Sequence, residues 1–165
     1  MTNVMGFEKF SVSSFPSITV ILGKNDVCKT ALLKMMYAVG KSTELYGKQV
    51  NQDESAQYRP ILSEKIQTVY GVRKALGDLV RKNGTPKKLS VAMRMTDTRI
   101  KEVAFTYGTD TKSMITDYDT VTDPENEKQA NYIFIPAKEV LTAFNTIRAI
   151  SRQFFSLAGM IRPWI

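Results

Sequence analysis

The chain has 165 residues, a formal net charge of +7, one cysteine and no histidine. That length holds a single core, the 43% hydrophobic content is that of an ordinary globular protein, and no run approaches the roughly 18 apolar residues of a membrane span. One cysteine without histidine excludes an internal disulfide, a Cys/His zinc centre and any histidine-based catalytic pair.

Residues 1–10 lack a basic stretch followed by an apolar one, so no secretory signal is read there and a reducing, cytoplasmic setting is expected. Residues 7–15 alternate loosely and predict a half-buried strand. After Pro16 and Ser17, the run Ile18, Thr19, Val20, Ile21, Leu22 predicts a short strand buried on both faces. From Thr30 to about Lys41 the chain is apolar around most of its circumference (Ala31, Leu32, Leu33, Met35, Met36, Ala38, Val39), which predicts a helix deep in the core.

Residues 47–59 are polar and read as a loop. Helical spacing returns over residues 62–82 (Leu62, Ile66, Val69, Tyr70, Leu76, Leu79), interrupted near Gly71 and Gly77 and stopped by Asn83, Gly84, Thr85 and Pro86. Residues 89–95 and 100–107 predict a β-hairpin. Residues 108–131 read as polar loop with an exposed turn at Asp123, Pro124, Glu125 and Asn126. Tyr132, Ile133, Phe134 and Ile135 predict another short strand, stopped by Pro136, and Val140, Leu141, Phe144, Ile147, Ile150 and Phe154 mark one face of a final amphipathic helix.

Chemistry is concentrated in one place. Gly23, Lys24, Asn25, Asp26, Val27, Cys28, Lys29 and Thr30 lie between the second expected strand and the first helix. A glycine, five residues and then Lys-Thr is the spacing of a phosphate-binding P-loop (Walker A), with Cys28 where glycine usually precedes the lysine. Such a loop curls its backbone N–H groups around phosphates while the helix behind it directs its positive end at them. Its lysine neutralises β/γ-phosphate charge and its Ser/Thr hydroxyl ligates magnesium. Gly23, Lys29 and Thr30 hold three of those places. Cys28 and Asp26 work against them: Cys28 adds a side chain, and a carboxylate about 4–5 Å from a phosphate at an effective dielectric near 20 repels it by a few kcal/mol, about a hundredfold in affinity. The thiol beside Lys29 at a helix start is also placed for raised reactivity, an inert substitution being the simpler reading.

These residues, with Phe7, Glu8, Lys9 and Phe10 ahead of them and Leu32, Leu33, Lys34, Met35 and Met36 behind, resemble the N-terminal lobe of AAA-like, ABC-class ATP-binding proteins of the RecF/SMC/OLD type. Residues 76–82 and the stretch Ile135, Pro136, Ala137, Lys138, Glu139, Val140, Leu141 extend the likeness in the same order, to about residue 145. The resemblance implies an α/β P-loop NTPase-like lobe with a mixed sheet, an antiparallel hairpin and a central P-loop helix. It assigns residues 1–145 to that lobe and 146–165 to a helix end and tail, where the reading frame looks cut short. It implies ATP with Mg2+ as ligand, residues 23–30 as the nucleotide site and Thr30 as the metal contact. The family's signature sequence, its Asp-Glu strand and its switch histidine are missing, so the loop is degenerate, no catalytic residue is assigned and no hydrolysis is expected from this chain alone. The expected partners are a larger ATPase or a second copy, through a sheet edge left uncovered. The dispersed basic residues read as a solvated surface, with DNA contact the lesser reading.

Overall fold

The computed structural model describes residues 1–23, 28–51, 57–72, 74–82, 87–96, 98–126 and 130–135. The chain divides into two compact units, Met1–Ile133 and Phe134–Ile165. Of the second, only Phe134 and Ile135 are described, so the expected final helix and the expected boundary at 145 lie outside the described residues.

The first unit is mixed α/β. Its sheet has five strands: β1 (Thr2–Val4), β2 (Phe7–Lys9), β3 (Lys88–Arg94), β4 (Ile100–Gly108) and β5 (Asp117–Thr122). Their order is β2-β1-β3-β4-β5, and each neighbouring pair is antiparallel. The hairpin read from sequence is β3–β4, with Leu89 opposite Tyr107, Val91 opposite Phe105 and Met93 opposite Val103. These side chains face the core. Ser90, Ala92 and Arg94 alternate to the other face against Thr106, Ala104 and Glu102, where Arg94 Nε donates to Glu102 Oε1 at 2.8 Å.

Two helices pack on the inner face: α1 (Lys29–Val50) and α2 (Tyr58–Tyr70). The α1 residues Met35, Ala38 and Val39 are fully buried and meet Leu62 and Ile66 of α2 in one core with β3 and β4. The helix after the loop is therefore as deep as the sequence implies. It also continues well past Lys41. Ser42 Oγ and Thr43 Oγ1 donate to the carbonyls four residues back, at 2.7 and 3.1 Å, so these hydroxyls are buried without loss. Glu44 is locked between Lys41 and Lys48 on the same helix. α2 begins earlier than expected, at Tyr58, because Pro60 in its first turn needs no hydrogen-bonded N–H. It stops at Gly71, whose left-handed φ of 66° closes the helix. A 3₁₀ turn, Leu76–Leu79, follows and ties its N–H groups at Leu76 and Gly77 to the carbonyls of Lys112 and Thr111.

Several sequence expectations differ from what is observed. The sheet is antiparallel throughout, not mixed, among the described residues. Residues 7–15 contribute only β2, paired with an unforeseen β1. Residues 18–22 belong to no strand: Ile18, Val20 and Leu22 are 84%, 73% and 87% exposed, the opposite of a strand buried on both faces. Residues 132–135 are likewise outside any strand, with Ile133 exposed. β5, by contrast, falls within residues 108–131, whose polar sequence reads as loop. Its sequence is polar because it is an edge strand, facing solvent along most of its length. The turn at Asp123 is as expected, with Asn126 N–H donating to the Asp123 carbonyl at 3.1 Å.

Candidate functional site

Of the residues singled out by sequence, Cys28, Lys29 and Thr30 form the start of α1, and Gly23 is bonded to Lys29. Gly23 is exposed, Cys28 and Lys29 are half-buried, and Thr30 is exposed in the first helical turn. Lys24, Asn25, Asp26 and Val27 lie outside the described residues. Lys29 Nζ turns back across the loop and donates to the Gly23 carbonyl at 2.7 Å, so the two ends of the loop are held together by the lysine itself. The first intrahelical bond runs from Leu32 N–H to the Cys28 carbonyl at 3.1 Å. No side-chain cap hydrogen bond closes this helix end and its first turn carries no acidic residue, so among the described residues neither a cap nor a first-turn carboxylate offsets the positive end of the helix dipole.

Cys28 occupies the helix N-cap with φ 56° and ψ 27°. That left-handed conformation costs an L-residue roughly 1–2 kcal/mol and costs glycine nothing comparable. The backbone at position 28 thus has the geometry for which a glycine is suited, which is the residue that the loop pattern lacks there. The thiol also has a fixed neighbour. A Cβ placed on Gly6, in the β1–β2 turn, would lie 2.5 Å from Cys28 Sγ, so the sulfur rests directly on that glycine.

A second contact fixes the first turn of α1. Tyr70, the last residue of α2, donates its hydroxyl to the Ala31 carbonyl. Burial holds the Tyr70 phenol well above its ordinary range, with Tyr107 and Cys28 near enough to add to the effect. Lys34 Nζ lies 5.9 Å from the Tyr70 ring centroid. Burial likewise raises the Tyr107 phenol, whose hydroxyl has no partner among the described residues. Neither Gly6 nor Tyr107 had been read as part of this neighbourhood, and Tyr70 registered only as an apolar helix position. They reach the loop through tertiary packing, which no local spacing encodes.

Farther along α1, Glu44 is buried and receives Lys41 Nζ at 2.8 Å, Lys48 Nζ at 2.6 Å and the Tyr132 N–H at 3.0 Å. Burial alone would raise its pKa. The two lysines and the backbone donor outweigh it and hold the carboxyl at about 2. The same helix therefore carries the candidate loop at its start and anchors Tyr132 near its end.

Among the described residues, no group of three or more Asp, Glu or Cys gathers to hold a metal ion. A cleft of about 710 Å³ lies elsewhere, between residues 10–15 and parts of β3, β4 and β5, and none of the described loop residues lines it. No helix is long and apolar enough to cross a membrane among the described residues. No protein-family model matches the chain, and no curated protein or solved structure matches it either.

Proposed function

We propose that this chain is the nucleotide-binding lobe of an AAA/ABC-type ATPase and takes Mg-ATP at residues 23–30. Lys29 is the phosphate contact, the Thr30 hydroxyl is the magnesium ligand, and the amides from Lys24 to Thr30 form the cradle. One observation carries the reading: the Lys29 ammonium is folded over its own loop onto the Gly23 carbonyl, at the uncapped start of a 22-residue helix. A phosphate oxygen arriving at the loop would meet that ammonium in a charge-assisted bond, stronger than one to a neutral carbonyl. The helix terminus favours the same anion. Thr30 is exposed in the first turn, which suits a hydroxyl that meets a nucleotide-borne ion. Bound magnesium would supply neutralisation of the β/γ-phosphate charge.

The reading implies weak binding and no turnover by the chain alone. Cys28 adds a side chain where the loop pattern has glycine, Asp26 brings a carboxylate toward the phosphates, and no catalytic residue is assigned. Calorimetric titration with Mg-ATP tests it. The expected result is an affinity roughly a hundredfold below a micromolar site, abolished by Lys29→Ala and tightened about tenfold or more by Cys28→Gly combined with Asp26→Gly. Absence of heat at about 10 mM nucleotide in both the native chain and the double variant would refute the proposal.

A further inference from the structure

The first unit carries an unpaired strand edge and an unpaired apolar segment that do not meet within one copy. On its β1 side, β3 is paired only where Thr2 faces Ser90, while β4 pairs along the whole of its other side. From Val91 to Arg94 that first side has no strand partner among the described residues. A cleft of about 710 Å³ adjoins that edge, walled by residues 10–15 on one side and by Ala92 and Met93 of β3 on the other, and it continues over β4 and β5 past Arg94, Ala104 and Asp119. A cleft bounded by a free strand edge is a receptor for one more strand, because backbone bonds supply the affinity and the wall residues the fit.

The chain also holds a segment of the required kind. Residues 18–22 are uncharged, β-branched at Ile18, Thr19, Val20 and Ile21, and joined to no strand, with Ile18, Val20 and Leu22 each more than 70% exposed. The segment does not enter its own cleft. It leads instead to Gly23, which Lys29 ties to the start of α1. We propose that residues 18–22 of one copy lie along residues 91–94 of a second copy, and that the exchange is reciprocal. Five extended residues span about 17 Å, enough to run the length of the open edge. Reciprocity gives each dimer two such contacts, and a standard stable interface buries roughly 1,200–2,000 Å² in total. The arriving segment brings no charge to the Arg94–Glu102 pair on the cleft wall. This proposal is independent of the nucleotide reading, since an empty loop leaves both the edge and the segment in place.

Sedimentation velocity on the full chain, from about 1 to 200 μM and at about 0.05 and 0.5 M salt, tests it. A dimer is expected, tighter at the higher salt because two copies of a +7 chain repel one another. Val20→Asp breaks the segment and Ala92→Arg fills the cleft; both positions are exposed, so each variant keeps the native melting curve and is expected to be monomeric. Mixing the two variants should restore a dimer, because one intact segment then meets one intact cleft. A native chain that stays monomeric throughout, a dimer indifferent to Val20→Asp, or a mixture that fails to associate would each overturn the proposal.

Discussion

The conformation of Cys28 can be weighed by replacing it in two ways. At φ 56° the residue bears the left-handed penalty of an L-amino acid, roughly 1–2 kcal/mol. Cys28→Ala removes the sulfur from Gly6 and keeps that penalty. Cys28→Gly removes both, at the expense of the extra freedom glycine has in the unfolded chain, about 0.5–1 kcal/mol. The packing loss is common to the two variants and cancels between them. The glycine variant should therefore be more stable than the alanine variant by about 0.5–1 kcal/mol, which in a chain of this size is about 1–4 °C in melting temperature. Thermal and urea denaturation followed by circular dichroism read the difference directly. A companion variant checks the geometry: Gly6→Ala collides with Sγ and should destabilise the native chain while being tolerated in Cys28→Gly. If the alanine variant is as stable as the glycine variant, position 28 is not left-handed in solution, and the reasoning that a glycine is missing from the loop fails.

Glu44 gives a prediction with a pH sign. Its folded pKa of about 2 lies below the ordinary 4.5, so its contribution is complete above pH 4.5 and disappears as pH falls toward 2. The shift corresponds to at most about 3 kcal/mol, less whatever solvent screens at the half-exposed Lys48. The stability gap between the native chain and Glu44→Gln, from urea melts, should be widest near pH 7 and close as pH drops; a gap constant from pH 7 to pH 3 would contradict the ion-pair account. Gly40→Ala tests the other half of that anchor. Alanine in a helix interior normally stabilises by about 1 kcal/mol relative to glycine, but here a Cβ would sit 2.4 Å from the Tyr132 ring. The substitution should instead destabilise by about 1–3 kcal/mol, and Tyr132→Ala in the same chain should reverse the sign.

What could be read in advance follows from how local each signal is. The β3–β4 hairpin was legible because Leu89, Val91, Val103, Phe105 and Tyr107 alternate into the core and carry that pattern in their own order. α1 was legible at its start, where the apolar residues crowd, and not at its end. There Ser42, Thr43 and Glu44 are buried as polar groups satisfied by the helix's own carbonyls and lysines, a solution that reads as loop until the partners are seen. β5 escaped for a related reason: an edge strand needs no apolar alternation when one side of its ladder and much of its surface face water.

Residues 18–22 bring out a different limit. Their composition is that of a strand, but a strand exists only with a neighbour, and among the described residues none pairs with them, so the expected strand is not formed. Propensity alone therefore reads a strand where the folded unit leaves Ile18, Val20 and Leu22 exposed and unpaired with any strand among the described residues. The loop beside them has the same character. Lys29 Nζ donates to the Gly23 carbonyl, and Cys28 holds a left-handed backbone conformation that suits glycine better. Both features are local compromises that the rest of the first unit does not require for its core, which lies between α1, α2 and the inward faces of β3 and β4. Positions that carry strain or unpaired strand while the core beneath them is complete are where a ligand or a second chain has most to contribute.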